Sequence, residues 1–186
     1  MTNKMSTKTL VLCAILTGLV VILQFMGAFI KFGMFSISLV LIPIVIGAAT
    51  CGLSAGAWLG FVFGAVVLLS GDAAPFLAVS VPGTIITVLL KGIASGYISG
   101  LVYKLLERYN HTVAVIAAAI TCPVVNTGIF LGGCFIFFME IITEWAGPDV
   151  GHYIIYGLVG GNFLFELLLN IVISPVIVRL LKYRLE

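Results

Sequence analysis

The sequence predicts an all-α integral membrane protein of six transmembrane helices with both termini cytoplasmic. Three observations carry this expectation. The chain is 62% hydrophobic and 9% charged, with a mean hydropathy of +1.29, where soluble domains carry about 25% charged residues. Apolar runs near the ~17–25 residues that a bilayer requires recur along its length. When six spans are threaded through a membrane, the basic residues gather on one side. Residues 1–186 read as one six-helix domain, because no linker, low-complexity tract or soluble module interrupts the pattern. A β-barrel is disfavoured: the segments are continuous apolar runs, not alternating strands.

The first helix is predicted over residues 9–30. Lys4 and Lys8 precede it as they would a signal peptide. The run nevertheless exceeds the ~7–15 apolar residues of such a peptide and lacks a clean A-x-A site, so it reads as a retained helix. The second and third helices, 36–51 and 53–70, are short and joined tightly through Cys51, Gly52, Leu53 and Ser54. The fourth covers 82–104, the fifth 112–139 and the sixth 153–181. The last two are long enough to tilt or to project past the bilayer. This threading puts Lys4, Lys8, Lys104, Arg108, Arg179, Lys182 and Arg184 on the side of the termini and leaves Lys31 alone opposite. The outward connections at 71–81 and 140–152 are the longest. They hold Asp72, Glu140, Glu144 and Asp149, and ligand sites are often built from such loops on a rigid scaffold.

Glycines repeat every four residues at Gly52, Gly56, Gly60 and Gly64, at Gly92, Gly96 and Gly100, and at Gly157 and Gly161. This spacing puts each set on one helix face, where backbones can approach closely. Internal helix packing is the plainer reading of these ladders, and docking to another membrane protein the sharper one. Ala14 and Gly18 form a further small pair, with Thr17 widening the patch.

Lys91 lies in the middle of the fourth span, where a charge costs about 2.5–3.5 kcal/mol on insertion scales. It centres a polar stripe of Thr84, Thr87, Lys91, Ser95 and Ser99. The sixth span carries Asn162, Glu166, Asn170 and Ser174, each four apart. The fifth offers Cys122 and Asn126 around Pro123, which cannot donate a backbone hydrogen bond and can free a carbonyl nearby. At a rise of about 1.5 Å per residue, Lys91 and Asn162 lie ~14 Å from the outer ends, Asn126 ~16 Å and Glu166 ~20 Å. Three helices thus bring polar groups to similar depths. A static Lys91–Glu166 ion pair, a ligand site and a proton relay through Glu166 all remain open on these residues. Gln24 is placed to reach the pocket or an outer loop. Trp145, in the outer loop, reads as an interface anchor or as an aromatic lid.

Other chemistry is poorly supported. Cys13, Cys51, Cys122 and Cys134 all fall in apolar stretches without a C-x-x-C pair and read as packing residues. His111 and His152 stand far apart, so no metal site is expected, and no cofactor. The sequence holds no G-x-x-x-x-G-K-[ST] loop, no H-E-x-x-H and no G-x-S-x-G. An enzyme is therefore not expected. Nucleic-acid binding is not expected either, because the few basic residues follow the orientation rule.

Against this background the chain resembles the substrate-binding S components of energy-coupling factor (ECF) transporters over essentially its whole length. The resemblance rests on the short basic N-terminus, the pair Ala14-x-x-x-Gly18, the block FSISLVLIPIVIGAATCGLSAGAWLGFVFGAVVLLSG and the stretch LLKGIASGYISGLVYKLLER. It implies a small-molecule binder in a bacterial cell membrane, usually for a vitamin or its precursor, with its site on the outer side formed by the outer loops and helices four to six. It implies as partners a transmembrane coupling subunit and two cytoplasmic ATPases. Ala14 and Gly18 match the family's alanine-x-x-x-alanine contact with the coupling subunit, and Gly18 replaces the second alanine while keeping the surface smooth. Transport by toppling of the whole component is also implied.

The candidate substrate-binding residues are then Lys91, Asn126, Asn162, Glu166, Thr87 and Trp145. Pantothenate is the first candidate ligand: its carboxylate suits Lys91, and its hydroxyl and amide groups suit Asn126 and Asn162. The outer acids argue against an anion and keep a hydroxymethylpyrimidine, a pyridoxine-type ring or cobalamin open. Two alternatives stand beside the importer subunit. One is a self-sufficient proton-coupled transporter or channel, although no internal repeat supports it. The other is a structural membrane subunit with a static Lys91–Glu166 pair.

Overall fold

The computed structural model describes residues 6–28, 31–32, 35–36 and 39–185, with the side chains of 31–32, 35–36, 158–159, 161–162 and 180–185 outside the description. The helices are α1 (Thr7–Ala28), α2 (Leu41–Cys51), α3 (Leu53–Leu69), α4 (Ala74–Leu77), α5 (Val81–Leu106), α6 (His111–Phe137), α7 (Met139–Ala146), α8 (Val150–His152) and α9 (Gly161–Leu185). A π-helical segment, Tyr153–Gly160, leads into α9. A two-residue antiparallel pair, β1 (Lys31–Phe32) and β2 (Phe35–Ser36), sits between α1 and α2.

Among the described residues, α1, α5 and α6 are each long and apolar enough to cross a membrane, while α2 and α3 are shorter apolar helices. The second helix departs from expectation. It starts at Leu41 and not at residue 36: Ser36 pairs with Lys31 in the β1–β2 ribbon, and residues 37–38 lie outside the description. Its 11 residues reach about 16 Å, half of the ~30 Å hydrocarbon core. The connection at 140–152 is largely helical as well. In α7, Ile142 is buried while Glu140, Thr143 and Glu144 are exposed, so a short amphipathic helix stands where a loop was expected.

Helix ends follow local chemistry. Gly52 takes φ 98° between α2 and α3, a conformation that side chains disfavour, so this member of the first glycine series makes the turn. Ser80 caps α5 by accepting from Gly83 N at 3.2 Å, with Pro82 in the first turn. Asn110 caps α6 by accepting from Val113 N at 3.1 Å.

The centre of the bundle is α5, which packs most extensively against α3 and α6; α6 in turn packs on α9. Glycines make the α3–α5 contact. A Cβ added at Gly60 would strike the Gly92 carbonyl, and one at Gly92 the Gly60 carbonyl. Gly56 and Gly96 oppose each other in the same way, and Gly64 faces the Val88 carbonyl. The plainer reading of these two ladders is therefore correct: they are internal packing faces. Gly157 differs, since the nearest atoms to it belong to Tyr153 on its own segment, and Gly161 lies outside the described surroundings. The main core runs through Val20 of α1, Ile44 of α2, Leu59 and Phe63 of α3, Val88 of α5, and Ala118 and Cys122 of α6. A second cluster gathers Phe76, Cys134, Phe138 and Ile142, with Trp145 against it.

Candidate functional site

A cavity of about 810 Å³, its mouth included, lies where α1, α3 and α6 end and α5 and α9 begin. Lys91 and Thr87 of α5, Asn126 of α6 and Glu166 of α9 all line it. Four of the six expected substrate-binding residues, from three different helices, thus meet in one space.

Each is positioned by the pattern that predicted it. The stripe on α5 divides: Thr84, Thr87 and Lys91 line the cavity, whereas Ser95 and Ser99 turn back to the carbonyls of Gly92 at 2.8 Å and Gly96 at 3.1 Å. On α9 Glu166 lines the cavity, while Asn170 and Ser174 of its series do not. Asn170 donates to the Glu166 carbonyl at 2.8 Å, and Ser174 to that of Ile171 at 2.7 Å. Asn162 lies on α9, but its side chain is outside the described residues. Trp145 does not line the cavity; it packs edge-on against Phe76, which does, at 5.8 Å between ring centroids. Its contact with the cavity is thus indirect, through Phe76.

Lys91 is the chemical centre. Its ammonium lies 5.6 Å from the ring centroid of Phe63 and 5.3 Å from that of Phe130, between a ring on α3 and one on α6. Both distances fall within the ~6 Å range of cation–π attraction. The carboxylates of Glu166 and Asp72 are within electrostatic reach of it. Lys91 is only partly buried, since it faces the cavity and is not sealed into helix packing. Close approach of α6 is enabled at Gly133, where an added Cβ would strike the Thr87 side chain.

Two polar atoms of the wall stand out. Among the described residues, Thr87 Oγ1 and Asn126 Oδ1 are buried and have no hydrogen-bond partner. Such atoms are uncommon in native proteins, and each costs roughly 1–3 kcal/mol if left unsatisfied. Both residues belong to the cavity lining, with these atoms buried behind its surface.

The wall also holds residues that sequence reasoning missed. Asp72, expected as a charge in an outer loop, lines the cavity and accepts from Gln24 Nε2 at 2.7 Å. Gln24, 2% exposed on α1, lines it too, so it reaches both of the places open to it. Phe63, Phe76, Phe130, Phe138 and Phe163 give the cavity its aromatic walls. No contrast in an apolar sequence marks such phenylalanines. Among the described residues no group of His, Cys, Asp and Glu is arranged to hold a metal ion.

On α1, Ala14 and Gly18 are exposed, and nothing lies within 4 Å of a Cβ added at Gly18. The hydroxyl of Thr17 is engaged internally. It donates to the Cys13 carbonyl at 2.8 Å and accepts from Trp58 Nε1 at 3.3 Å.

Apolar helices enclosing a polar, aromatic-walled cavity define a multi-pass membrane protein built to receive a small molecule. The family model for the ECF transporter, substrate-specific component, matches residues 8–180. The chain belongs to that family: it is a transporter's substrate-specific subunit and not an enzyme, and membership implies a substrate and an ECF module as partner. Comparisons with curated proteins and with solved structures gave no match.

Proposed function

We propose that this protein is the high-affinity receptor for a vitamin or vitamin precursor in an ATP-driven ECF importer. In this reading residues 1–186 form one domain of six spans in a bacterial cell membrane, with both termini cytoplasmic. The distribution of Lys and Arg along the sequence supports that orientation. Lys91, Thr87, Asn126, Glu166 and Asn162 bind the substrate, and Trp145 backs the aromatic wall. Ala14 and Gly18 meet the transmembrane coupling subunit, which connects to two cytoplasmic ATPases.

The observation that carries the proposal is the convergence of Lys91, Glu166, Thr87 and Asn126, from three helices, on one cavity. A static Lys91–Glu166 pair would need no cavity between its helices, and nothing about it would leave Lys91 partly exposed. Pantothenate is the candidate that the Lys91 ammonium favours when considered alone.

Thermal stability of the detergent-purified chain against a panel of water-soluble vitamins and precursors tests the proposal. Stabilisation by one compound at sub-micromolar concentration is the expected result. If no compound stabilises the chain, and the protein alone conducts a pH-dependent flux in liposomes, the proton-coupled alternative replaces it.

A further inference from the structure

We infer that the cavity selects a neutral or cationic heteroaromatic ring bearing amino or hydroxyl donors, and discriminates against carboxylate-bearing vitamins. The inference rests on the receptor reading above and narrows its substrate class. It follows from the charges and hydrogen-bonding atoms in the wall.

Among the described lining residues the charged groups are one ammonium, Lys91, and two carboxylates, Asp72 and Glu166. The formal balance is already negative. An anionic ligand would put three negative groups around a single positive one in a partly desolvated space, where charges are poorly screened. Nor is the ammonium an open anion site. Rings of Phe63 and Phe130 flank it within cation–π distance, and both carboxylates act on it electrostatically. Asp72 is fixed in the wall by the buried Gln24 amide, which donates to its Oδ2 at 2.7 Å.

The wall is also rich in acceptors. The carboxylates of Glu166 and Asp72 line it and accept without donating. Such a wall is complemented by N–H and O–H groups. The surrounding phenylalanines offer π-faces to a flat ring, and a cation among them gains further from those faces. An amino- or hydroxymethyl-substituted pyrimidine or pyridine has this combination; an aliphatic hydroxy acid lacks the ring and carries the wrong charge.

The test is calorimetric titration of the purified full chain in detergent. The probes are pyridoxine, hydroxymethylpyrimidine, thiamine and riboflavin, set against pantothenate, nicotinate and biotin. Pyridoxate, the carboxylate counterpart of pyridoxine, separates charge from ring shape. A neutral or cationic ring is expected to bind tightest, with pyridoxine at least about tenfold ahead of pyridoxate. Asp72→Asn keeps an acceptor for Gln24 while removing a charge, and is expected to narrow that ratio several-fold; Glu166→Gln gives an independent second reading. Tightest binding by pantothenate or any other carboxylate overturns the inference and leaves the receptor reading intact. A ratio unchanged in both variants overturns the assignment of selectivity to the wall acids. Failure of every compound to bind overturns the receptor reading itself, and the inference with it.

Discussion

Replacing Gly60 by alanine puts a methyl group into the tightest helix contact of the bundle. Beyond the Gly92 carbonyl oxygen that it strikes first, the new Cβ would lie 2.6 Å from the Gly92 carbonyl carbon and 3.1 Å from Ile93 N. Carbon atoms pack at about 3.5–4.0 Å, so α3 and α5 must part by roughly 1 Å. The opposing atoms are backbone, which cannot swing aside as a flexible side chain would. Overpacking of this kind costs about 1–3 kcal/mol. Alanine also gains ~0.8–1.0 kcal/mol in helix propensity over glycine, which would mask part of the cost. Gly18→Ala supplies the correction, because nothing lies within 4 Å of its added Cβ. The expected difference in stability between the two variants is therefore about 1–3 kcal/mol, read by reversible unfolding in detergent. Gly64→Ala should fall between them, since its Cβ would meet the Val88 carbonyl at 2.9 Å and Leu89 Cα at 3.2 Å. The same displacement reaches the cavity. Phe63 on α3 faces the Lys91 ammonium on α5 at 5.6 Å, and a further ~1 Å exceeds the range of useful cation–π attraction. Ligand affinity should fall several-fold. Equal stability of Gly60→Ala and Gly18→Ala would refute the packing argument, whatever the binding result.

Two other substitutions separate roles that the structure places apart. Lys91→Met removes the ammonium from the cavity while keeping an apolar stem; pyridoxate is expected to lose more affinity than pyridoxine, widening their ratio several-fold with the folded yield retained, as measured by titration and size-exclusion profile. A collapsed yield would favour the static pair. Gly18→Leu fills the exposed smooth patch on α1 and should abolish co-purification with the coupling subunit without changing ligand affinity; equal loss of both would sink the docking assignment.

The polar part of the site was legible because a membrane makes polar residues conspicuous. Lys91, Thr87, Asn126 and Glu166 each break an apolar run, and a constant rise per residue was enough to set them at similar depth. The same periodicity overreached at Ser95, Ser99, Asn170 and Ser174. They share the stripes but do not line the cavity; the three serine hydroxyls and the Asn170 Nδ2 are satisfied by carbonyls of their own helices. Phe63 and Phe130 were silent because an aromatic among aliphatic residues produces no contrast in hydropathy. Asp72 was visible only as a loop charge. What brings it into the wall is a tertiary contact with Gln24, 48 residues away, and no local pattern encodes that. The α7 helix was legible in principle: Ile141, Ile142 and Trp145 recur at helical spacing, interleaved with Glu140 and Glu144, but the segment is far shorter than a membrane span.

The two patterns on α5 have to be read together. Gly92 and Gly96 follow Lys91 and Ser95 by one residue, which turns the glycine face about 100° from the polar stripe. One face meets α3 backbone to backbone, and the other, through Thr87 and Lys91, lines the cavity. The polar stripe alone would leave Lys91 on a loosely packed helix whose depth and rotation were poorly fixed. The glycine contact removes that freedom, because close-packed backbones cannot slide or turn without collision. Lys91 is thereby held between a ring on α3 and a ring on α6. Selectivity by charge requires such rigidity: a Lys91 free to swing toward any carboxylate would erase the difference between an anion and a neutral ring. The glycine ladder, which touches no ligand, is in this sense part of what sets specificity, and a graded loss of discrimination from Gly64→Ala to Gly60→Ala is its expected signature.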